Sequence, residues 1–242
     1  MPEEGTGPDG AELDALLADL ASRRSRAGRP SLRRAAWKAT VRASYAVKRL
    51  LDLGVSAAGL VLLLPVFLAI AAAVKLSGPG PVFFSQIRVG LDGRFFRFWK
   101  FRTMRRDAES LKASLAGRNE SADGVLFKMK DDPRITRVGR FLRRTSLDEL
   151  PQLWNVFVGD MSLVGPRPPV PSEVAQYTLE DRKRLHVKPG LTCLWQIEGR
   201  SDLPFREQVR LDKEYIRSQS LWKDLRILLR TIPAVIGGKG AY

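Results

Sequence analysis

The stretch Gly54–Val74, GVSAAGLVLLLPVFLAIAAAV, holds 21 residues without a charge and is bracketed by Asp52 and Lys75. As one helix it would rise ~31 Å, about the thickness of a bilayer's hydrocarbon core. A helix apolar on every face is uncommon in the core of a chain of 242 residues, so the run reads as a membrane segment. Pro65 follows Leu64 at its centre. The ring removes one backbone donor and crowds the carbonyl of Val61, so a break is expected there. Both flanks are basic, with Lys48 and Arg49 upstream and Lys75, Arg88, Arg94 and Arg97 downstream. Lys and Arg beside membrane segments favour the cytoplasmic side. A helix broken at Leu64 and Pro65 that leaves by the face it entered keeps both flanks there; a straight, kinked span is the alternative. A secretory leader fits poorly, because the run begins only at Gly54.

The whole chain is strongly basic, with 41 Lys and Arg against 26 Asp and Glu, a formal charge of +15. Such a balance implies an anionic partner: nucleic acid, an anionic membrane surface or a phosphorylated substrate. One cysteine, Cys193, and one histidine, His186, exclude an intrachain disulfide framework and zinc sites built from several Cys or His. A divalent metal would rest on carboxylates, phosphates and water, which suits Mg²⁺.

Residues 1–10 read as disordered, and Leu13, Leu16, Leu17 and Leu20 recur at helical spacing. The stretch Arg23–Arg49 is basic and almost free of acid, as expected of an arm that meets anionic lipids. Beyond the apolar run, Phe83–Ile87 and Phe95–Trp99 flank Asp92-Gly93, a hairpin signal. Residues 106–124 are polar and read as a helical excursion or loop. A basic amphipathic helix is expected over Thr136–Thr145. Leu221, Leu225, Leu228, Leu229 and Ile232 alternate with Lys223, Arg226 and Arg230, which suits either a membrane-interface helix or one packed on a core.

The densest chemistry lies in Thr145–Pro151, TSLDELP, followed by a helical pattern running to about Gly159. A structural reading makes Ser146 and Glu149 a capping box, or Asp148 the N-cap with Pro151 in the first turn. A chemical reading places the Asp148 carboxylate at a helix N-terminus, where it attacks phosphorus and forms an acyl phosphate. Cations must then neutralise the phosphate oxygens. Arg143 and Arg144 precede the acids by about a turn. Arg167 stands in Gly165-Pro166-Arg167-Pro168-Pro169, where flanking prolines fix the backbone. Lys188-Pro189-Gly190 reads as a turn leading to Gln196 and Arg200, an amide and a guanidinium suited to a nucleotide. Lys100 and Arg102 fit either substrate contacts or membrane-surface charge. His186 reads as a surface residue and Cys193 as a buried small hydrophobe.

Several segments resemble, in order, those of the bacterial sugar transferases: Lys48–Asp52, Lys100–Met104, Asp132–Thr136, Thr145–Asn155 (TSLDELPQLWN), Gly159–Pro168 (GDMSLVGPRP) and Pro189–Arg200. The likeness covers residues 45–242 and is to the small monotopic phosphoglycosyl transferases. Residues 1–44 are then an N-terminal extension. The sequence departs from the family at Cys193, where Gly is frequent, and at Leu64, where Ser commonly precedes the proline. The resemblance implies an α+β fold with one Pro-broken re-entrant helix, interfacial amphipathic helices and a small hairpin-based sheet. It implies a bacterial inner-membrane protein whose site faces the cytoplasm. Asp148 would be the nucleophile on a UDP-sugar and a ligand of Mg²⁺, with UMP leaving and undecaprenyl phosphate accepting the sugar phosphate. Glu149 would assist, Arg143 and Arg167 would hold phosphates, Lys100 and Asp224 would complete the site, and Gln196 and Arg200 would lie toward the nucleotide. No nucleic-acid partner is expected, and a homodimer is left open. The alternatives are a basic membrane-tethered module that binds nucleic acid or protein without catalysis, and a hydrolase in which water resolves the intermediate.

Overall fold

The computed structural model describes residues 32–111, 113–118, 129, 131–199 and 203–237. The chain divides into two compact units, residues 1–46 and 47–242. The expected disorder at 1–10 and the leucine-spaced helix at Leu13–Leu20 lie outside the described residues, as do most of 119–130. In the first unit the described residues are the opening turns of helix α1 (Leu32–Leu62).

Helix α2 (Leu64–Leu76) follows after a single break at Leu63, with Pro65 in its first turn. Proline cannot donate to the carbonyl of Val61, while its fixed φ suits the start of a new helix, so the ladder restarts there. Normal bonds stand on either side, Leu63 N to Gly59 O at 3.0 Å and Phe67 N to Leu63 O at 2.9 Å. The segments Arg42–Leu62 and Leu64–Leu76 meet at a 60° bend. Among the described residues no single helix is long and apolar enough to cross a membrane, whereas this bent pair is so by length and composition. Of α2 only Ile70 and Val74 are buried; Leu64, Leu68 and Leu76 face outward.

Lys48 and Arg49 do more than supply flanking charge. Lys48 donates to Val164 O and pairs with Asp224, and Arg49 donates to the carbonyls of Val156 and Phe157 at 2.7 and 2.8 Å. Asp52, one turn on, accepts from Ser162 Oγ and Leu163 N. Within the second unit, the base of the apolar helix is thus tied to residues more than a hundred positions away in sequence.

Strands β1 (Phe83–Val89) and β2 (Phe95–Phe101) form the expected antiparallel hairpin, with Val89 opposite Phe95 and Phe83 opposite Phe101. Asp92 and Gly93 both take positive φ, 53° and 80°, the left-handed conformation that Asp and Gly tolerate best. Helix α3 (Arg137–Arg144) is capped by Thr136, whose hydroxyl accepts from Gly139 N, and buries Leu142. Helix α4 (Gln152–Val158) ends on Gly159 in the left-handed region. Its Asn155 docks it on β2, accepting from Trp99 N and donating to Arg97 O.

The Pro189-Gly190 turn is not formed. Gly190 instead opens β4 (Gly190–Thr192), which pairs in parallel with β3 (Ser162–Val164). The cause is close backbone contact: a Cβ on Gly165 or Gly190 would run into the other's main chain. Short helices α5 (Pro171–Val174), α6 (Leu179–Arg182) and α7 (Leu194–Glu198) precede α8 (Phe205–Arg217) and α9 (Leu221–Gly237). The core gathers Val156, Met161, Leu163, Leu194, Leu211 and Ile227. Helix α9 packs on the core through Asp224 and Ile227, while Trp222, Leu225, Leu229 and Ile232 form an exposed apolar stripe at helical spacing. The architecture is α+β, as expected, with a second two-stranded sheet beside the hairpin.

Candidate active site

Strand β2 presents Lys100 to one face of the hairpin. Opposite it, the chain leaves α3 through Ser146, which adopts a left-handed φ of 56° at a cost of ~1 kcal/mol, and makes a 3₁₀ turn over Leu147–Glu149. The capping box is not formed: Ser146 makes no side-chain cap, and neither does Asp148, because α4 begins only at Gln152 behind Pro151. Asp148 therefore sits in the 3₁₀ turn that precedes α4 rather than at the N-cap of α4.

Asp148 is 5% exposed, and its Oδ2 accepts from Lys100 Nζ at 3.2 Å. The same ammonium donates to Glu149 Oε1 at 2.7 Å. Burial pushes the Asp148 carboxyl above the usual aspartate range; Lys100 and Arg143 oppose that rise, and Glu149 adds to it. Arg143 is held by Thr103, whose hydroxyl accepts from its Nε at 3.0 Å, and burial lowers its pKa against the pull of Asp148.

A cavity of about 470 Å³ brings together Lys100, Arg143, Asp148, Glu149, Arg167 and Gln196. These are most of the residues singled out from sequence. A roomier hollow of about 940 Å³ beside it holds neither Asp148 nor Glu149. Three expectations fare differently. Arg102 touches the cavity, but its guanidinium donates to the carbonyls of Val74, Gly78 and Pro79 and so clamps the end of α2. Asp224 lies away from the cavity, paired with Lys48 and accepting from Tyr215 Oη at 2.7 Å. Arg200 is outside the described residues.

Arg88, Gln86 and Trp195 line the cavity and escaped the sequence reading. Alternation along β1 was the available signal: Phe84, Gln86 and Arg88 share the face of Lys100 and Phe98. Arg88 lies 5.2 Å over the Phe98 ring and donates to Pro168 O and Gln86 Oε1. Burial, with Arg167 nearby, pushes it down to about 10. Arg167 in turn lies 5.9 Å over Trp195. The Trp195 indole N–H finds no acceptor among the described residues. Lys100, Arg143, Arg88 and Arg167 around two carboxylates make a receptor for a ligand with several negative charges, such as a diphosphate. His186 is exposed beside Asp92, and the Cys193 thiol is buried, its pKa well above the usual thiol value through desolvation.

The chain belongs to the bacterial sugar transferase family, whose profile matches residues 43–238. It is 48% identical over 195 residues to the galactosyl transferase CpsE of Streptococcus agalactiae, covering 80% of this chain and 43% of that one. It is 41% identical over 204 residues to the undecaprenyl-phosphate galactose phosphotransferase of Salmonella typhimurium, covering 83% of this chain and 43% of the relative. With the exopolysaccharide production protein ExoY of Rhizobium meliloti the identity is 42% over 198 residues, covering 81% of this chain and 88% of that protein. The chain thus spans less than half the length of the first two relatives and most of the third.

Proposed function

We propose that this chain transfers a sugar-1-phosphate from a UDP-sugar to a polyprenyl phosphate in two steps through Asp148. The observation that carries this reading is a buried carboxylate, 3.2 Å from Lys100, in a cavity rimmed by arginines. The Asp148 oxygen bonds to the phosphorus that bears the sugar, the bond to the bridging oxygen breaks, and UMP leaves with that electron pair. Polyprenyl phosphate then attacks the acyl phosphate, forming the diphosphate and restoring the carboxylate. Lys100 and Arg143 hold Asp148 and offset the charge that approaches it, while Arg88 and Arg167 bind phosphate oxygens. Gln196 and Trp195 lie toward the remainder of the donor. Adjacent carboxylates that share their coordination with phosphate oxygens and water fit Mg²⁺. Asp148 and Glu149 would hold the ion, which supplies neutralisation of the diphosphate when bound.

A two-step path has a kinetic signature. With UDP-sugar alone, the protein should release UMP in a burst of up to about one equivalent before any acceptor is added. UMP release that depends strictly on polyprenyl phosphate would replace the covalent path with direct transfer, and release that continues with water alone would mark a hydrolase. Some relatives are named for galactose and others for glucose, so a panel of UDP-hexoses and UDP-amino sugars is the test that identifies the donor.

The same reading places the bent pair α1–α2 in the cytoplasmic membrane as a re-entrant element, with the exposed stripe of α9 in the interface beside anionic lipids. Single cysteines at Ser44 and Ser110 should both be labelled from the cytoplasmic side. Pro65→Ala restores a donor for Val61 and removes a penalty of ~3 kcal/mol against a continuous helix. A fraction of that variant should carry the two positions on opposite sides. Opposite-side labelling in the wild type would establish a span instead.

A further inference from the structure

The cavity that holds Asp148 has an unexpected apolar component. Beside its lysine, arginines, carboxylates and amides, Pro81, Phe83, Phe84 and Phe101 line it. Phe83 and Phe84 are 45% and 51% exposed, and residues Phe83–Ile87 of β1 are open to solvent. Phe84 stands directly across the hairpin from Lys100, on the same face. Phe83 projects to the other face and stacks on Phe101 at 5.2 Å, and Phe101 meets Phe67 of α2 at 5.5 Å. Phe101 also lines the cavity, so ring contacts lead from the cavity wall through Phe101, with Phe83 stacked on it, to Phe67 of the apolar helix.

We propose that Phe83 and Phe84 form the lip over which the prenyl chain of the acceptor leaves the cavity toward α2. The inference rests on the two-step reading above and adds the place of the acceptor's tail. The occupant must carry a phosphate at one end, for Lys100 and the arginines, and an apolar chain that starts within a few ångströms of it. Large half-exposed aromatics beside a highly charged cavity are stabilised by an apolar ligand that covers them. The link through Phe101 to α2, whose Leu64, Leu68 and Leu76 are exposed, selects a lipid chain over a soluble one.

The test uses the full chain in lipid nanodiscs, with Phe84→Ser and the double variant Phe83→Ser/Phe84→Ser. The KM for undecaprenyl phosphate should rise about tenfold for Phe84→Ser, the effect of exposing roughly half a phenylalanine's apolar surface. The rate with methyl phosphate, an acceptor without a tail, should stay at the wild-type value, and so should the UMP burst from donor alone. An unchanged KM for undecaprenyl phosphate overturns the proposal. So does a slower burst, which would assign Phe84 to the sugar of the donor, or an equal loss with methyl phosphate, which would assign it to the fold. Loss of vesicle binding by the variants would make the lip a membrane anchor and also overturn it. A wild-type protein without a burst would end the covalent reading and leave the KM comparison to judge the lip alone.

Discussion

Asp148→Asn should abolish UMP release from UDP-sugar, with a fall of at least ~10³-fold in the burst rate. The amide keeps the shape of the carboxylate, so the turn over Leu147–Glu149 persists, but it offers phosphorus no anionic oxygen. Removing one charge of a buried pair would also leave Lys100 with Glu149 alone, 2.7 Å away. Folding is checked by thermal unfolding, and chemistry by single-turnover UMP release and by trapping the phosphosugar adduct on the wild type. Turnover near wild type in the variant would remove Asp148 from the chemistry. The same carboxyl sets a pH dependence. Burial raises it above the usual aspartate value of 3.8, and the reactive form is the ionised one. The burst should therefore decline on acidification at a pH higher than an ordinary aspartate would give. Stability has the opposite sign: as pH rises through the raised value, the folded state loses a proton that it holds more tightly than the unfolded chain does.

The second large effect lies away from the cavity. Arg184 is buried in the turn after α6, paired with Asp212 of α8 and donating to Tyr177 Oη at 2.9 Å. Asp212 is 1% exposed, and burial pushes its carboxyl up to about 6 even beside that guanidinium. Arg184→Met leaves the acid buried without a partner, which costs ~3–5 kcal/mol. For a domain of this size that is a fall of about 10 °C in Tm. The deficit should shrink as pH falls, because the folded variant then takes up a proton that the unfolded chain binds only near 3.8. The double variant Arg184→Met/Asp212→Leu should recover much of the loss, since apolar groups can replace a buried pair. A Tm within a degree of wild type for the single variant would show that the pair is not needed. Helix α8 packs on α7, which carries Trp195 and Gln196, so activity should follow Tm in this series.

Local patterns carried the hairpin, α3 and the end of α4, because their signals lie within a few residues: Asp92-Gly93, Thr136 and Gly159. The break at Leu63 was legible for the same reason, since one proline determines it. What sequence missed was settled over long separations. Asp224 and Lys48 look like site and membrane charges until the fold pairs them 176 residues apart. Arg102 fits either a substrate contact or a membrane-surface charge by sequence, whereas in the fold three carbonyls at the end of α2 take its donors. Ser146 and Glu149 have the spacing of a capping box, but the left-handed turn at Ser146 delays the helix. Gly190 reads as a turn glycine, whereas the structure uses its missing Cβ for contact with Gly165. Arg88 was hidden because a charged residue on a strand has no motif; only the register with Lys100 shows which way it points.

The Arg102 clamp couples two tasks that are usually separate. Its backbone N–H bonds Val82 O at 2.9 Å, its side chain grips the last turn of α2, and Lys100 stands two positions back, on β2. On the proposed re-entrant reading, the depth at which α2 settles and the point to which the lysine reaches are linked through this clamp. On that reading, a thicker or thinner bilayer that tilts α2 would pull on Lys100 through the clamp, making lipid composition an input to turnover.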